Sequence, residues 1–125
     1  MHELTVCRAL IGQVEAVARA HGARTVTRIE LRVGPLSGVV PELLREAFAL
    51  ARAGTVAEGA ELRLVEVPLE VECESCGTRG PAAAPNRLLC PACGGWRTRL
   101  VSGDELLLVR VALAGITPAE EGAHV

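Results

Sequence analysis

The segments Cys73-Glu74-Ser75-Cys76-Gly77 and Cys90-Pro91-Ala92-Cys93-Gly94 decide the organisation of this chain, and 13 residues separate them. Each C-x-x-C-G predicts a tight turn that directs two thiolates toward one point, with glycine where a positive φ is needed. Two such turns supply four sulfur atoms at the corners of a tetrahedron, which is the closed coordination set of a structural Zn²⁺. The spacing favours one zinc ion per chain over disulfides or a redox dithiol, with rubredoxin-like iron as a minor alternative. The predicted zinc ligands are Cys73, Cys76, Cys90 and Cys93.

The cysteine usage also bears on the role of this site and on the compartment. Four thiolate ligands leave no open position for a substrate, so the spacing favours structural over catalytic zinc. Five cysteines, four of them in metal spacing, indicate a reducing compartment, and we expect the cytoplasm. The start of the chain has no signal-peptide pattern, and no window approaches the roughly 20 apolar residues of a membrane span.

The composition limits the core and the chemistry. A chain of 125 residues suffices for one ordinary domain, or for a small domain with a metal-held module. Half of the residues are hydrophobic but only one Phe and one Trp are present, so the core must consist of Leu, Val, Ile and Ala. All 13 basic residues are Arg, which excludes mechanisms that need a lysine amine. The net charge of −2 gives no general attraction to nucleic acid.

The first half of the chain alternates helical and extended patterns. Apolar residues recur at three- and four-residue spacing from Glu3 to Ala20, which predicts a helix that ends near Gly22. Strict alternation over 25–33 predicts a half-buried strand, followed by a turn over 34–38. Pro41 suits the first position of a second helix, which should end before Gly54.

The second half is predicted to be extended around the cysteine module. Residues 61–73 form an extended stretch interrupted by Pro68, residues 77–89 suggest an irregular loop, and residues 98–101 can form a short strand. The nearly continuous apolar run at 106–113 predicts a strand covered on both faces. A module of some 35 residues has too small a core to cover both faces, so this strand should return to the sheet of the first half.

These patterns predict an α/β chain with an inserted zinc module. We expect residues 1–67 together with 104–113 to form an α/β domain and residues 68–103 to form the inserted zinc ribbon. The tail at 114–125 carries Gly, Pro and two Glu with little hydrophobicity, and we expect it to be disordered.

Met1-His2-Glu3 opens a second possibility for metal binding. In an arbitrary protein these residues would be a frayed terminus with a solvated histidine. A free α-amine, however, can combine with the His2 imidazole and the intervening backbone nitrogens in a nitrogen-rich, square-planar chelate. That geometry suits Ni(II) or Cu(II) and not Zn²⁺.

The remaining candidate residues have structural interpretations. Cys7 lies on the apolar stripe of the first helix and is expected to be a small buried hydrophobe. His21 suits a helix end, and His124 lies in the tail as at most a weak adventitious ligand. Asp104 and Glu105 suit a solvated turn. No Ser/His/Asp set, phosphate-binding glycine loop or paired-carboxylate pattern supports an enzyme.

Taken together, the motifs resemble the HypA/HybF family of nickel metallochaperones for [NiFe]-hydrogenase maturation. The resemblance spans about residues 1–113. It depends on MHELTVC at the terminus, RIELRVGPLSGVVPELLREAF at 28–48, the two cysteine pairs, and GDEL at 103–106.

The resemblance implies a fold and a site. The fold is two helices on a small mixed three-stranded sheet, with the Cys₄ zinc ribbon inserted. Nickel, the cargo, would be bound by the Met1 amine, the His2 side chain and the backbone nitrogens of His2 and Glu3. The zinc ribbon would be structural or regulatory.

The resemblance also implies partners. Nickel would pass to the [NiFe]-hydrogenase large-subunit precursor in cooperation with the GTPase HypB, and some relatives also serve urease. Monomer and homodimer both remain open. Certain relatives add a histidine near the zinc module to the nickel ligands, but this chain has none between His21 and His124.

Two functions from other classes remain as alternatives. A zinc-ribbon module that binds nucleic acid or protein would have the same cysteines, but residues 68–103 hold four Arg, three Glu and one aromatic residue, without a basic stripe or stacking platform. A dithiol oxidoreductase would need free thiols, which stoichiometric zinc would remove.

Overall fold

The computed structural model describes residues 2–115 of the chain, so the tail predicted at 114–125 lies outside the described residues from position 116 onward. Two helices and six strands are formed. In chain order they are α1 (His2–Ala20), β1 (Thr25–Val33), α2 (Pro41–Ala51), β2 (Glu61–Glu66), β3 (Glu70–Cys73), β4 (Arg79–Pro81), β5 (Thr98–Ser102) and β6 (Leu106–Ala114).

The two helices pack against each other through the apolar stripes that the sequence predicts. The core positions of α1 are fully buried or nearly so: Cys7, Leu10, Ile11, Val14 and Ala18. Helix α2 contributes Leu44, Ala47 and Phe48. Pro41 is the first residue of α2 as expected, because proline lacks the N–H that has no partner at that position.

The larger sheet has the strand order β2-β1-β6. Two ion pairs link β1 and β2: Arg28 Nε lies 3.0 Å from Glu61 Oε1, and Arg63 Nε lies 4.0 Å from Glu30 Oε1. Their numbers rise together along both strands, which is the order of a parallel pair. A parallel pair needs a crossover connection, and α2 supplies it between β1 and β2.

Strand β6 runs in the opposite direction to β1. Arg24 N–H donates to Ala114 O at 3.1 Å, and Thr27 Oγ1 donates to Ala112 O at 3.2 Å. As the residue number rises on one strand it falls on the other, so the pair is antiparallel. The sheet is therefore mixed and three-stranded, as predicted.

The smaller sheet has the order β4-β3-β5, and both of its pairs are antiparallel. Val71 at its centre pairs with Gly80 on one side and Leu100 on the other, and its side chain is fully buried. The expectation of an irregular loop over 77–89 was wrong for residues 79–81, which pair with β3 as a short strand. Two prolines and two glycines in this segment favoured a loop in the prediction, and a strand of only three residues is too short to give a clear alternating pattern.

The expectation that 106–113 is covered on both faces was also wrong. Strand β6 forms as predicted and joins the sheet of the first half, but none of its residues is buried. It lies at an edge of that sheet, beyond β1. A continuous apolar run does not by itself distinguish a central strand from an edge strand.

The chain divides into two compact units. Among the described residues, one unit contains 2–31, 40–64 and 108–115, and the other contains 32–39 and 65–107. The division into an α/β domain at 1–67 with 104–113 and an inserted zinc-ribbon domain at 68–103 stays a prediction.

Backbone segments approach closely at two glycines in the second unit. Gly34 N–H donates to Glu105 O at 2.8 Å, and Leu36 N–H donates to Gly103 O at 2.7 Å. A Cβ at Gly34 would lie 2.1 Å from Gly103 O, and one at Gly103 would lie 2.7 Å from the Leu69 side chain. Gly103 also has φ +122, which L side chains rarely adopt. The loop at 34–38 is thus held against the residues that precede β6.

We predict that Gly34→Ala lowers the free energy of unfolding by more than about 2 kcal/mol, because the backbone itself must shift to accept the methyl group. Urea unfolding of the zinc-loaded protein measures the change. Gly12→Ala is the matched control: Gly12 lies within α1 with nothing within 4 Å of an added Cβ, so alanine should stabilise by up to about 1 kcal/mol. Equal effects of the two substitutions would contradict the close approach.

Candidate metal centre

The four cysteines of the two predicted turns come together in the structure. Their Sγ atoms all lie within 4.8 Å of one another. Cys73 Sγ lies 3.7 Å from Cys93 Sγ, and Cys76 Sγ lies 3.5 Å from Cys90 Sγ. Cys73 and Cys90 are buried, whereas Cys76 and Cys93 are exposed. Each turn therefore contributes one inner and one outer sulfur.

Both turns have the same construction. Cys73 ends β3, and the Gly77 N–H donates to Cys73 O at 3.0 Å, with Gly77 at φ +77. In the second turn the Gly94 N–H donates to Cys90 O at 3.0 Å, with Gly94 at φ +75. The positive φ that each turn requires explains the glycine after the second cysteine of each pair.

Backbone amides surround the sulfur atoms. Cys76 N–H donates to Cys73 Sγ at 3.4 Å, Cys93 N–H donates to Cys90 Sγ at 3.3 Å, and Gly95 N–H donates to Cys93 Sγ at 3.4 Å. The Thr78 hydroxyl lies 3.2 Å from Cys76 Sγ. Such donors favour the thiolate form of a cysteine, which is the form that binds metal.

The surroundings of Cys73, Cys76 and Cys93 shift the pKa values of these thiols in different directions. Hydrogen bonds from the Thr78 hydroxyl and N–H lower the pKa of Cys76 to about 6, and the Cys76 N–H lowers the pKa of Cys73. Although the Gly95 N–H acts to lower the pKa of Cys93, its three sulfur neighbours together raise it to about 11. Each thiolate that forms disfavours the ionisation of the thiols beside it, because like charges repel. A cation bound among the sulfurs would offset this repulsion.

The geometry fits zinc. A tetrahedron with Zn–S of about 2.3 Å has S···S edges of about 3.8 Å, near the 3.5 and 3.7 Å separations found here. A disulfide requires about 2.05 Å, and all five cysteines are free. Bound zinc would supply the positive charge that allows all four sulfurs to ionise, with no position left for a substrate.

The arginines of the cysteine module are not among the hydrogen-bond partners of these sulfurs within residues 2–115. Among the described residues, the hydrogen-bond partners of these sulfurs other than sulfur itself are backbone N–H groups and the Thr78 hydroxyl. Arg99 instead pairs with Glu72, and the Arg97 guanidinium lies over the Trp96 ring, 5.3 Å from its centroid.

The second candidate site is at the start of α1. His2 is the first residue of the helix and is exposed, whereas Met1 lies outside the described residues. The first four N–H groups of a helix have no acceptor within the helix, so the amides of His2 and Glu3 are not committed to the α1 ladder. The imidazole and the two backbone nitrogens named by the prediction therefore lie in one helical turn, in which His2 is exposed and Glu3 is buried.

Glu3 is the buried charged residue of this turn, with 5% of its surface exposed. Its Oε2 accepts a hydrogen bond at 3.2 Å from Val40 N–H, at the start of α2, where Val40 has no side-chain cap of its own. Hydrogen bonds from the chain's α-amine, from Val40 N–H and from its own N–H lower the pKa of Glu3 to about 2. The carboxylate stays charged and joins the first turn of α1 to the N-terminus of α2, which favours an anion.

The sequence did not lead to the structural roles of two side chains, the Glu3 carboxylate and the Thr78 hydroxyl. Glu3 was singled out for its backbone nitrogen, and its carboxylate contact with Val40 spans 37 residues, a distance that no local pattern predicts. Thr78 follows the first cysteine turn directly, so a hydroxyl residue after C-x-x-C-G was an available signal for a hydrogen bond to sulfur.

The other sequence candidates have structural roles. Cys7 is fully buried, burial raises its pKa to about 11, and its Sγ lies 3.5 Å from Leu44 O. His21 Nδ1 lies 2.9 Å from Val17 O at the end of α1. Glu105 Oε1 accepts the Gly103 N–H at 2.7 Å, and this bond lowers its pKa. His124 lies outside the described residues.

No helix among residues 2–115 is long and apolar enough to cross a membrane.

Known proteins are similar to this chain over most of its length. Residues 1–113 match the family described as "Hydrogenase/urease nickel incorporation, metallochaperone, hypA". A "Hydrogenase maturation factor HypA" of Nitrosospira multiformis is 48% identical over 113 residues, which are 90% of this chain and 97% of that protein. One of Streptomyces avermitilis is 48% identical over 112 residues, 89% of this chain and 86% of the relative.

The fold also matches a solved structure, the "Solution structure of the Ni metallochaperone HypA from Helicobacter pylori". The TM-score is 0.65 at 26% sequence identity, and the match covers 92% of this chain and 99% of that chain. The agreement extends over almost the full length of both proteins.

We predict that Cys73→Ala abolishes stoichiometric zinc and unfolds the smaller sheet, because Cys73 ends β3 and carries one of the two buried sulfurs. Zinc binding to such sites contributes on the order of 10 kcal/mol. Metal analysis of the purified variant, with near-ultraviolet circular dichroism of Trp96, measures both effects. Cys7→Ala is the control that should keep one zinc per chain. Full zinc content in Cys73→Ala would contradict the four-sulfur site.

Proposed function

The chain belongs to the HypA family of hydrogenase and urease nickel metallochaperones, and from this premise we propose that it carries Ni(II) on its N-terminal residues. The ligands are the Met1 amine, the His2 imidazole and the backbone nitrogens of His2 and Glu3. The observation that carries this proposal is the position of His2 and Glu3 at the start of α1, with an exposed imidazole and amides outside the helical ladder.

The four-cysteine cluster supports the proposal because its ligands suit a different metal from those at the N-terminus. Ni(II) with four nitrogen ligands adopts a square-planar geometry, whereas four thiolates in a tetrahedron suit zinc. The two sites therefore select different metals by ligand type and geometry. Zn²⁺ is the resident ion at Cys73, Cys76, Cys90 and Cys93, and Ni²⁺ is the cargo.

Transfer requires both capture and release. A chelate on an exposed first turn can be approached by an incoming ligand, whereas a closed four-sulfur set cannot. The Glu3 carboxylate holds this turn at the start of α2, so the carrier site has a defined position while its outer side stays open. The chain is a metallochaperone rather than an enzyme.

The cargo is delivered to the [NiFe]-hydrogenase large-subunit precursor, in cooperation with the GTPase HypB. The relatives described as hydrogenase maturation factors support hydrogenase as the recipient, and the family description adds urease maturation as a second route. The cytoplasm is the proposed compartment, because five free cysteines suit a reducing environment.

The first test blocks the α-amine. Adding three glycines before Met1 converts the amine into an amide and moves the terminal charge away from His2. We expect at least a hundredfold loss of Ni(II) affinity in calorimetric titration, with one zinc retained. The same three glycines added after Val125 serve as the control and should leave nickel affinity unchanged.

His2→Ala should weaken nickel binding in the same titration without loss of zinc. Unchanged nickel affinity in the N-terminally extended protein would contradict the terminal chelate, whatever the outcome for His2.

The second test uses pH. Imidazoles and α-amines in model peptides have pKa values of about 6.5 and 8, and protons compete with nickel for both groups. Nickel affinity should therefore fall steadily between about pH 8 and pH 6, while zinc remains bound. Titrations at fixed ionic strength across this range measure the slope. A pH-independent affinity would show that other ligands hold the metal.

A further inference from the structure

A cleft lies between α2 and the start of β2, and the residues that line it all belong to one compact unit. Its volume is about 290 Å³, near the lower end of the range for ligand clefts, roughly 300–1,000 Å³. Phe48, Ala49 and Leu62 form apolar walls, and Arg45 and Arg52 line the same cleft. None of these residues is a proposed ligand of zinc or nickel.

Backbone carbonyl groups hold both arginines of the cleft in place. Arg45 Nη1 donates to Leu62 O at 3.1 Å, and Arg52 Nη1 donates to Ala60 O at 3.0 Å. The Arg52 guanidinium also lies over the Phe48 ring, 5.9 Å from its centroid, where a cation is attracted to the face of the ring. Because the two side chains are already ordered, a ligand that binds them loses less affinity to the cost of immobilising them.

The positions of the two carbonyl groups set the spacing of the two guanidinium groups. Ala60 directly precedes β2, and Leu62 is the second residue of that strand. Carbonyl groups two residues apart in an extended chain face the same side and are separated by about 7 Å. The two guanidinium groups are therefore anchored along β2 at about that interval.

The positive charges of Arg45 and Arg52 are not neutralised by the part of the chain that the structure describes, where neither forms an ion pair. The acidic residue that lines the cleft is Glu61, and its Oε1 instead accepts a hydrogen bond from Arg28 Nε at 3.0 Å. A guanidinium carries five N–H groups, and the bond to the backbone uses one of them. The cleft thus offers two cations with further donors beside apolar walls, which is complementary to a carboxylate.

An extended peptide with an acidic residue at every second position matches this arrangement. Its side chains at positions i and i+2 point to the same side, about 7 Å apart, which is the interval between the two anchoring carbonyl groups. Each carboxylate could then accept two parallel hydrogen bonds from one guanidinium, which is the strong geometry of an arginine–carboxylate pair.

This chain does not supply such a peptide from an accessible segment. Its acidic residues alternate in this way at Glu70, Glu72 and Glu74 alone, and β3, which contains the first two, pairs with a strand on each side. Glu120 and Glu121 are adjacent, so an extended chain would direct them to opposite sides. A different protein is therefore the better source of the acidic segment than a second copy or the chain's own tail.

From the two anchored guanidinium groups and their spacing, we propose that the cleft between α2 and β2 docks an extended acidic segment of a partner protein. Two acidic residues of that segment, with one residue between them, pair with Arg45 and Arg52. The docking site acts independently of the proposed nickel ligands, so it is testable in zinc-loaded protein that holds no nickel.

The first test titrates nitrogen-15-labelled protein with the capped peptide acetyl-Ser-Glu-Val-Glu-Ser-amide at fixed ionic strength. The Nε–H resonances of Arg45 and Arg52 should shift and reach saturation in nuclear magnetic resonance spectra. The same peptide with both glutamates replaced by glutamine should cause no saturable shift. A peptide with adjacent glutamates, acetyl-Ser-Val-Glu-Glu-Ser-amide, should bind about tenfold more weakly, because one carboxylate loses its guanidinium. Equal affinity for the two glutamate spacings, or no saturable shift with either, would overturn the proposal.

Matched arginine variants separate a built site from attraction to net charge. Arg45→Gln and Arg52→Gln should each lower the peptide affinity about tenfold, and Arg45→Lys should also weaken it, because lysine keeps the charge but lacks the planar fork. Arg19→Gln is the control, since it removes the same charge from the last turn of α1. Zinc content and thermal unfolding of the Arg45 variants should match wild type. An equal loss of affinity in Arg19→Gln and Arg45→Gln would contradict a specific cleft.

Two further titrations test other occupants of the cleft. Sodium phosphate should shift the Arg45 and Arg52 resonances less tightly than the peptide does, and tighter saturable binding of phosphate would assign the cleft to a small oxyanion instead. Protein truncated after Gly115 should bind the peptide with the affinity of the full chain. A gain in affinity on truncation, with the two arginine resonances already shifted before peptide is added, would assign the cleft to the chain's own tail and overturn the partner site.

Discussion

Four sulfur atoms within 4.8 Å of one another impose the electrostatic constraint on which the second half of the chain depends. Backbone amides and Thr78 lower the pKa of Cys76 and Cys73, but the same sulfurs raise the pKa of Cys93 to about 11. A cation bound among the sulfurs would stabilise their thiolate forms. Since Cys73 ends β3 and Cys90 is buried, the cation and the smaller sheet depend on each other.

Four thiolate ligands would leave no coordination position open for exchange, so we propose the carrier site at the N-terminal end of the chain. A metal held by four thiolates is stable but inaccessible, which suits a structural ion. A metal held on the first turn of α1 can be exchanged with a partner. The Glu3 carboxylate joins that turn to the start of α2 through Val40 N–H, so a buried charge would support the proposed nickel site. Such a division fits a metallochaperone better than a nucleic-acid-binding zinc ribbon, which would need a basic surface.

Features set by local chemistry were predictable from the sequence. The cysteine spacing with its two glycines, Pro41 at the start of α2 and the alternation of β1 each depend on neighbours a few residues away. Features set by tertiary contact were not. The bond between Glu3 and Val40 joins residues 37 positions apart, and the exposure of β6 depends on which strand ends the sheet. An apolar run carries the same pattern in either place, so burial was predicted where an open edge lies.

The measurement that tests the central claim most directly is X-ray absorption at the nickel and zinc edges of one sample loaded with both metals. Nickel in the terminal chelate predicts only nitrogen and oxygen neighbours in a planar arrangement. Zinc predicts four sulfur neighbours at about 2.3 Å. Sulfur scattering at the nickel edge would contradict the account, because it would place the cargo in the cysteine cluster.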